Sequence, residues 1–183
     1  MKSILIAMTS LALLFSAAAS ADSAEEAIAE FKKAEATQPF FANAYGYAIF
    51  PTIGKGGVGI GGAYGEGKVF KGGTHTGNSK MAQVSFGLQL GGQAYSQIIF
   101  FQNADAYNEF TSGDFEFGAQ ASAVALTAGA SAGANTKGTT AGAGTSQAEN
   151  EYSGGMAVFT MAKGGLMYEA SLSGQGFSFD PVE

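Results

Sequence analysis

The chain predicts an α+β fold dominated by β-strand: a curved antiparallel sheet or barrel-like core with an N-terminal amphipathic helix and one short internal helix. Three observations lead there. Tyr45–Phe70 and Met81–Phe101 alternate with a period of two, as strands do when one face is buried. Ser23 is followed three positions later by Glu26, a capping-box spacing, and Ala24, Ala27, Ile28, Phe31 and Ala34 then recur at helical spacing. Glycine pairs inside the alternating runs, such as Gly91-Gly92, supply the bends that let a sheet curl.

Residues 1–21 have the layout of a secretory signal, with Lys2, an apolar core over Ile4–Phe15 and small residues ending in Ala19-Ser20-Ala21 before Asp22. That core is shorter than the ~20 apolar residues of a spanning helix. Residues 22–183 are then expected to form a single domain, since a chain of roughly 160 residues fills one core and falls short of two. Ala24–Ala36 is expected to be helical, with Pro39 ending the helix and Phe40-Phe41 docking the chain on the sheet. Covering the core and meeting lipid are both open to such a helix. Glu25, Glu26, Glu30 and Glu35 weigh against lipid, because membrane-surface helices favour a basic polar face.

Pro51 breaks the first apolar run, and Lys55-Gly56-Gly57 reads as a turn after which the strand resumes at Val58. Gly72–Gly77, with the single histidine His75, reads as a polar turn. In Met81–Phe101, Phe86, Leu88, Leu90, Ala94, Ile98 and Phe100 share one face, and Gln89, Gln93, Tyr95 and Gln97 share the other. Asn103 is placed to cap a short helix carrying Tyr107 and Phe110, which Gly113 ends. Phe115–Val124 is expected to be a further strand. Ala125–Gln147 is almost wholly Ala, Gly, Ser and Thr, offering little buried surface against its ordering entropy, and residues 135–146 are expected to form a mobile loop. Ala48-Ile49-Phe50, Lys55-Gly56-Gly57 and Gly65-Glu66-Gly67 recur as Ala157-Val158-Phe159, Lys163-Gly164-Gly165 and Gly174-Gln175-Gly176. Two strand-turn-strand units related by a twofold would produce this echo, and so would common hairpin grammar.

The glycine run Gly59-Ile60-Gly61-Gly62-Ala63-Tyr64-Gly65-Glu66-Gly67, preceded by Ile49-Phe50-Pro51, resembles the SYLF family, described in eukaryotes as a lipid-binding and actin-patch module. Ser85–Gln93, Ile98–Phe110, Phe115-Glu116-Phe117-Gly118 and Ala162–Met167 follow in the family's order, so the resemblance covers roughly Phe41–Phe179. It implies contact with phospholipid or another amphiphile. The residues assigned to that contact are Gly59, Gly61, Gly62 and Tyr64, with Lys55, Lys68 and Lys71 toward a headgroup. Gly57, Gly59, Gly61, Gly65 and Gly67, with Ala63, share one face of an extended chain, which admits an acyl chain, an aromatic ring or another backbone. Close packing of a helix or second sheet layer is the competing reading of that face.

Composition narrows the chemistry. All nine basic residues are lysines, and the formal charge is −6, becoming −7 when Lys2 leaves with the signal, which carries no carboxylate. Without arginine there is no bidentate fork for phosphate or guanine, and an acidic chain repels polyanions, so nucleic acid is an improbable partner. No cysteine is present, which removes disulfides, thiolate metal sites and thiol catalysis. The glycine run leads into Lys68-Val69-Phe70 instead of a helix N-terminus, so it does not read as a phosphate cradle. Asp114 and Glu116 supply fewer oxygens than a calcium loop needs, so no metal or cofactor is expected. A lone His75 has no evident base or orienting partner, so no catalytic residue is assigned.

The function expected is therefore that of a non-enzymatic, exported lipid-binding protein of the cell envelope. It would be periplasmic or secreted and attached to membranes peripherally; actin is an improbable partner after export. An integral outer-membrane barrel and a scaffold binding another envelope protein are the alternatives. Polar and charged residues at the C-terminus count against the barrel.

Overall fold

The computed structural model describes residues 23–58, 60–86, 92–118, 121, 124–126, 152–163 and 172–183. The signal segment, Gly59, the bend at Gly91 and the loop at 135–146 lie outside them.

Helical residues 23–33 (α1) stop at Ala34, whose backbone is extended, and pass through a 3-10 turn at Glu35–Thr37 into α2 (Gln38–Asn43). The helix expected to reach Ala36 thus ends early, and the Thr37 hydroxyl secures the corner by donating to the Phe31 and Ala34 carbonyls. Pro39 starts a helix instead of ending one. It sits in the first turn of α2, where its missing N–H would have had no helical acceptor. Phe40 and Phe41 dock on the sheet from this helix, against Phe100 with ring centroids 5.5 and 4.9 Å away.

Among the described residues eight strands follow: β1 (Gly46–Val58), β2 (Ile60–Lys71), β3 (Thr74–Phe86), β4 (Gly92–Phe101), β5 (Phe115–Glu116), β6 (Val124–Leu126), β7 (Met156–Lys163) and β8 (Gln175–Pro181). A further helix, α3 (Ala104–Phe110), joins β4 to β5. The strands form one sheet in the order β5-β8-β3-β2-β1-β4-β7-β6, antiparallel except at β6 and β7, and curled into a half-barrel. The β1–β2 hairpin is its centre, with β3, β8 and β5 on the β2 flank and β4, β7 and β6 on the β1 flank. Of the two repeated units anticipated from the sequence echo, the early one is the β1–β2 hairpin, and the late one, Ala157–Gly174, begins in β7 and runs through 164–171, which lie outside the described residues. Phe115–Val124 is no single strand, since β5 and β6 lie at opposite sheet edges.

Pro51 does not interrupt β1. The ladder slips between Phe50 and Ile53, and this bulge accommodates a residue with no N–H to donate. Ser96 Oγ donates to the Pro51 carbonyl at 2.8 Å. The bulge also turns Phe50 and Ile53, three residues apart, into the same core. Lys55–Gly57 pair with Gly61–Ala63 and so belong to the ladder; the hairpin tip lies between Val58 and Ile60. Between β2 and β3 the turn is Gly72-Gly73 alone, with φ of 55° and 81°, and His75 falls inside β3.

Hydrophobic residues cover both faces of the sheet. On the face called inner here, Phe50, Ile53, Met81, Phe101 and Phe177 pack with Tyr107 and Phe110 of α3. On the outer face, Phe31 of α1 and Phe40 of α2 lie among Ile49, Ile98, Phe100 and Phe159. Both faces of β4 are consequently buried from Tyr95 to Phe101. Tyr95 and Gln97, expected on a polar face, are inside, where Gln97 Nε2 donates to Gln175 Oε1 at 3.0 Å and Gln175 Nε2 approaches the Tyr95 hydroxyl at 3.4 Å.

Gly61, Ala63, Gly65 and Gly67 alternate as the buried face of β2, toward the inner core. A Cβ on Gly67 would stand 2.5 Å from the Ile49 carbonyl oxygen and 2.6 Å from the Phe50 ring. A Cβ on Gly54, on the outer face, would meet nothing within 4 Å. Gly67→Ala should therefore lower stability by about 1–3 kcal/mol in urea unfolding. Gly54→Ala should stay within about 0.5 kcal/mol of wild type.

Burial pushes the Tyr95 phenol up to about 12, against an ordinary 10.0. The folded state then keeps a proton that the unfolded chain releases, so the contribution is intact below pH 10 and is lost as pH rises toward 12. Wild type should lose about 2–3 kcal/mol more than Tyr95→Phe across that window, measured as paired urea midpoints.

Candidate functional site

The N-terminal helices cover only part of the outer face. Beyond Pro51 the outer surface of β1, β2 and β3 is open, and a trough of about 860 Å³ runs between the start of α1, at Ser23 and Ala24, and these strands. Register sets its floor in cross-strand rows. Lys68, Asn78 and Asp180 form one row; Thr52, Glu66 and Lys80 form the next; Gly54, Tyr64 and Ala82 form the third. Past them Gly92, Gly56, Gly62 and Val84 align across four strands and leave a surface almost without side chains. Ile60 and Val84 rise from this end 65% and 67% exposed, and Tyr64 is 52% exposed, an unusual grouping of large apolar side chains on one small surface.

Polar groups in the trough are lightly engaged. The Tyr64 hydroxyl donates to Glu66 Oε1 at 2.9 Å, and that bond is the main cause holding the phenol above its ordinary range. Lys163 reaches across from β7 to the Thr52 hydroxyl at 2.9 Å. Among the described residues the ion pair present is Lys33 with Glu30 on α1, so the ammoniums of Lys68, Lys80 and Lys163 have no described carboxylate within 4.0 Å. His75 borders the trough, its Nε2 2.9 Å from the Gly77 carbonyl oxygen and its ring 5.5 Å from that of Phe70. This arrangement suits binding by charge and shape.

The residues assigned from the sequence do not share one surface. Gly62, Tyr64 and Lys68 lie on the open outer face, whereas Gly61 is buried on the inner face and Gly59 is outside the described residues. Lys55 is partly buried and pairs with Ala63, so it points inward. Lys71 is eight residues beyond Ala63 on β2, roughly 26 Å away at ~3.3 Å per residue. It too is on the inner side, its Nζ 5.1 Å from the Tyr45 ring centroid and 5.6 Å from that of Tyr107. The three lysines expected together are thus dispersed over two faces, and Lys71 is engaged by aromatic rings.

Sequence reasoning missed Val84, Lys80, Lys163, Thr52 and Asp180. Residues 82 and 84 do alternate with 81 and 83, but the polarity is inverted. Gln83 is buried, its Nε2 donating to the Ser173 carbonyl at 2.8 Å, while Val84 is exposed. Period identifies residues that share a face without identifying the buried face. Lys163 and Asp180 come from distant strands that only the sheet order brings alongside.

The distinction between the lysines is measurable. Lys71→Met should lower the urea midpoint, because the cation between two rings is lost. Lys68→Met should leave it unchanged within error.

A family model described as Ysc84, Las17-binding protein actin regulator, matches residues 82–182. The chain is also similar to Beta cell expansion factor A of Aeromonas veronii, with 26% identity over 152 residues, 82% of this chain and 51% of that protein. The chain spans about half the length of that curated relative.

Proposed function

We propose, from the premise that this chain belongs to the Ysc84 (SYLF) family, that it is a non-enzymatic, exported lipid-binding protein of the cell envelope whose membrane contact is the open outer face of β1–β3. One observation carries the reading. Ile60, Val84 and Tyr64 project from the face that also carries Gly54, Gly56, Gly62, Ala82 and Gly92, together with lysines that have no described carboxylate within 4.0 Å. Each aliphatic side chain inserted into the interfacial region contributes roughly 1–2 kcal/mol, and the flat glycine floor lets acyl chains lie against backbone. Weak attraction to headgroups by exposed lysines supplements this, which suits a protein attached reversibly.

The contact is peripheral in this reading. Charged Glu66, Lys68, Lys80 and Asp180 occupy the same outer face, and α1 and α2 cover another part of it, which disfavours the continuous apolar band of an integral barrel. The role is one of binding, with no residue assigned to catalysis.

Co-sedimentation with phospholipid vesicles tests the proposal. Ile60→Asp with Val84→Asp should reduce partitioning about tenfold or more, with circular dichroism unchanged. Wild-type protein that is folded yet binds no vesicle composition would defeat it.

A further inference from the structure

The trough carries both signs of charge, and their placement narrows the ligand. Glu66 and Lys80 are direct cross-strand partners, whose Cβ atoms in such a pair stand ~5 Å apart. They nevertheless form no ion pair, and Glu66 instead accepts the Tyr64 hydroxyl at 2.9 Å. Lys68 lies two residues further along β2 on the same face, and Asp180 closes its row on β8. Lys163 is directed to Thr52 from the other side. Cationic and anionic groups therefore alternate over three neighbouring strands without neutralising one another. Ammoniums alone would select an anion and carboxylates alone a cation, whereas this alternation complements a molecule bearing both charges a few bonds apart.

We propose that the trough recognises the phosphoethanolamine headgroup of a bilayer lipid. The phosphate lies against Lys68 and Lys80, the primary ammonium lies against Glu66 and Asp180, and the acyl chains leave over Gly54 and Gly62 toward Ile60 and Val84. The ammonium must be primary because carboxylates reward N–H donors, of which –NH₃⁺ has three and a trimethylammonium none. Tyr64 offers one aromatic face, and a quaternary ammonium is better served by a cage of several. This inference rests on the lipid-binding reading above and adds headgroup selectivity to it.

The full chain is floated with vesicles of phosphatidylcholine alone, or mixed with either phosphatidylethanolamine or phosphatidylglycerol. Ethanolamine vesicles should retain about threefold to tenfold more protein than phosphatidylcholine alone, the range expected of two partly solvated charge pairs. Glu66→Gln with Asp180→Asn should abolish that excess and shift binding toward phosphatidylglycerol. Asp105→Asn with Glu109→Gln, an equal charge change on α3, should leave the wild-type ratio. A wild-type preference for phosphatidylglycerol, or an ethanolamine excess that survives the trough variant, overturns the headgroup assignment and leaves lipid binding standing. Loss of the excess in the α3 variant as well would trace it to net charge and overturn the assignment too. No binding to any of the three overturns both readings. Each variant is checked by circular dichroism, and Glu66→Gln alone decides if the double trough variant does not fold.

Discussion

The close approach of Phe50 to the backbone of β2 is the contact on which the remaining architecture depends. With the Phe50 ring and the Ile49 carbonyl filling the space where a Gly67 side chain would stand, the two central strands press together on the inner side. The bulge at Pro51 makes this geometry compatible with a continuous β1, because it brings Phe50 and Ile53 to the same core and absorbs the missing N–H. Phe179 repeats the device further out, its ring lying 2.3 Å from where a Gly77 Cβ would be. Glycines on β2 and β3 thus work as sockets for aromatic rings from neighbouring strands.

That constraint separates the two faces of the hairpin. Small residues on the inner side are filled by rings and become structure. On the outer side, a Cβ on Gly54 would meet nothing within 4 Å and one on Gly62 would meet the Gln83 carbonyl oxygen at 3.5 Å, so no ring fills either position. The sheet therefore presents bare backbone bounded by Ile60, Val84 and Tyr64, and its polar rows meet that surface at Thr52 and Glu66. The proposed lipid contact uses what the packing of β1–β3 leaves unused.

Much of the architecture was legible. Asn103 Oδ1 does accept the Ala106 N–H at 3.0 Å, and α3 carries Tyr107 and Phe110 into the core, because a cap is a local interaction whose spacing the chain displays. The two-residue period of β2 correctly sorted Gly61, Ala63, Gly65 and Gly67 from Ile60, Gly62, Tyr64 and Glu66. Errors arose where a local rule met a nonlocal partner. Pro51 looked like a break until Ser96 and the bulge accommodated it, and Gln97 looked solvent-facing until Gln175 met it in the core.

By itself the sequence determined that this is a β-rich member of its family with a side-chain-free stripe on its central hairpin, because periodicity and motif spacing are properties of the chain alone. Tertiary structure decided which side of that hairpin stays open, that Lys71 is held by rings while Lys68 remains available, that Lys163 meets Thr52 and that Asp180 joins the row of Lys68. Those outcomes depend on strand order, register and the reach of two helices. Such features arise from contacts between residues far apart in sequence, and a two-residue repeat carries no information about which partner will lie on either side of it.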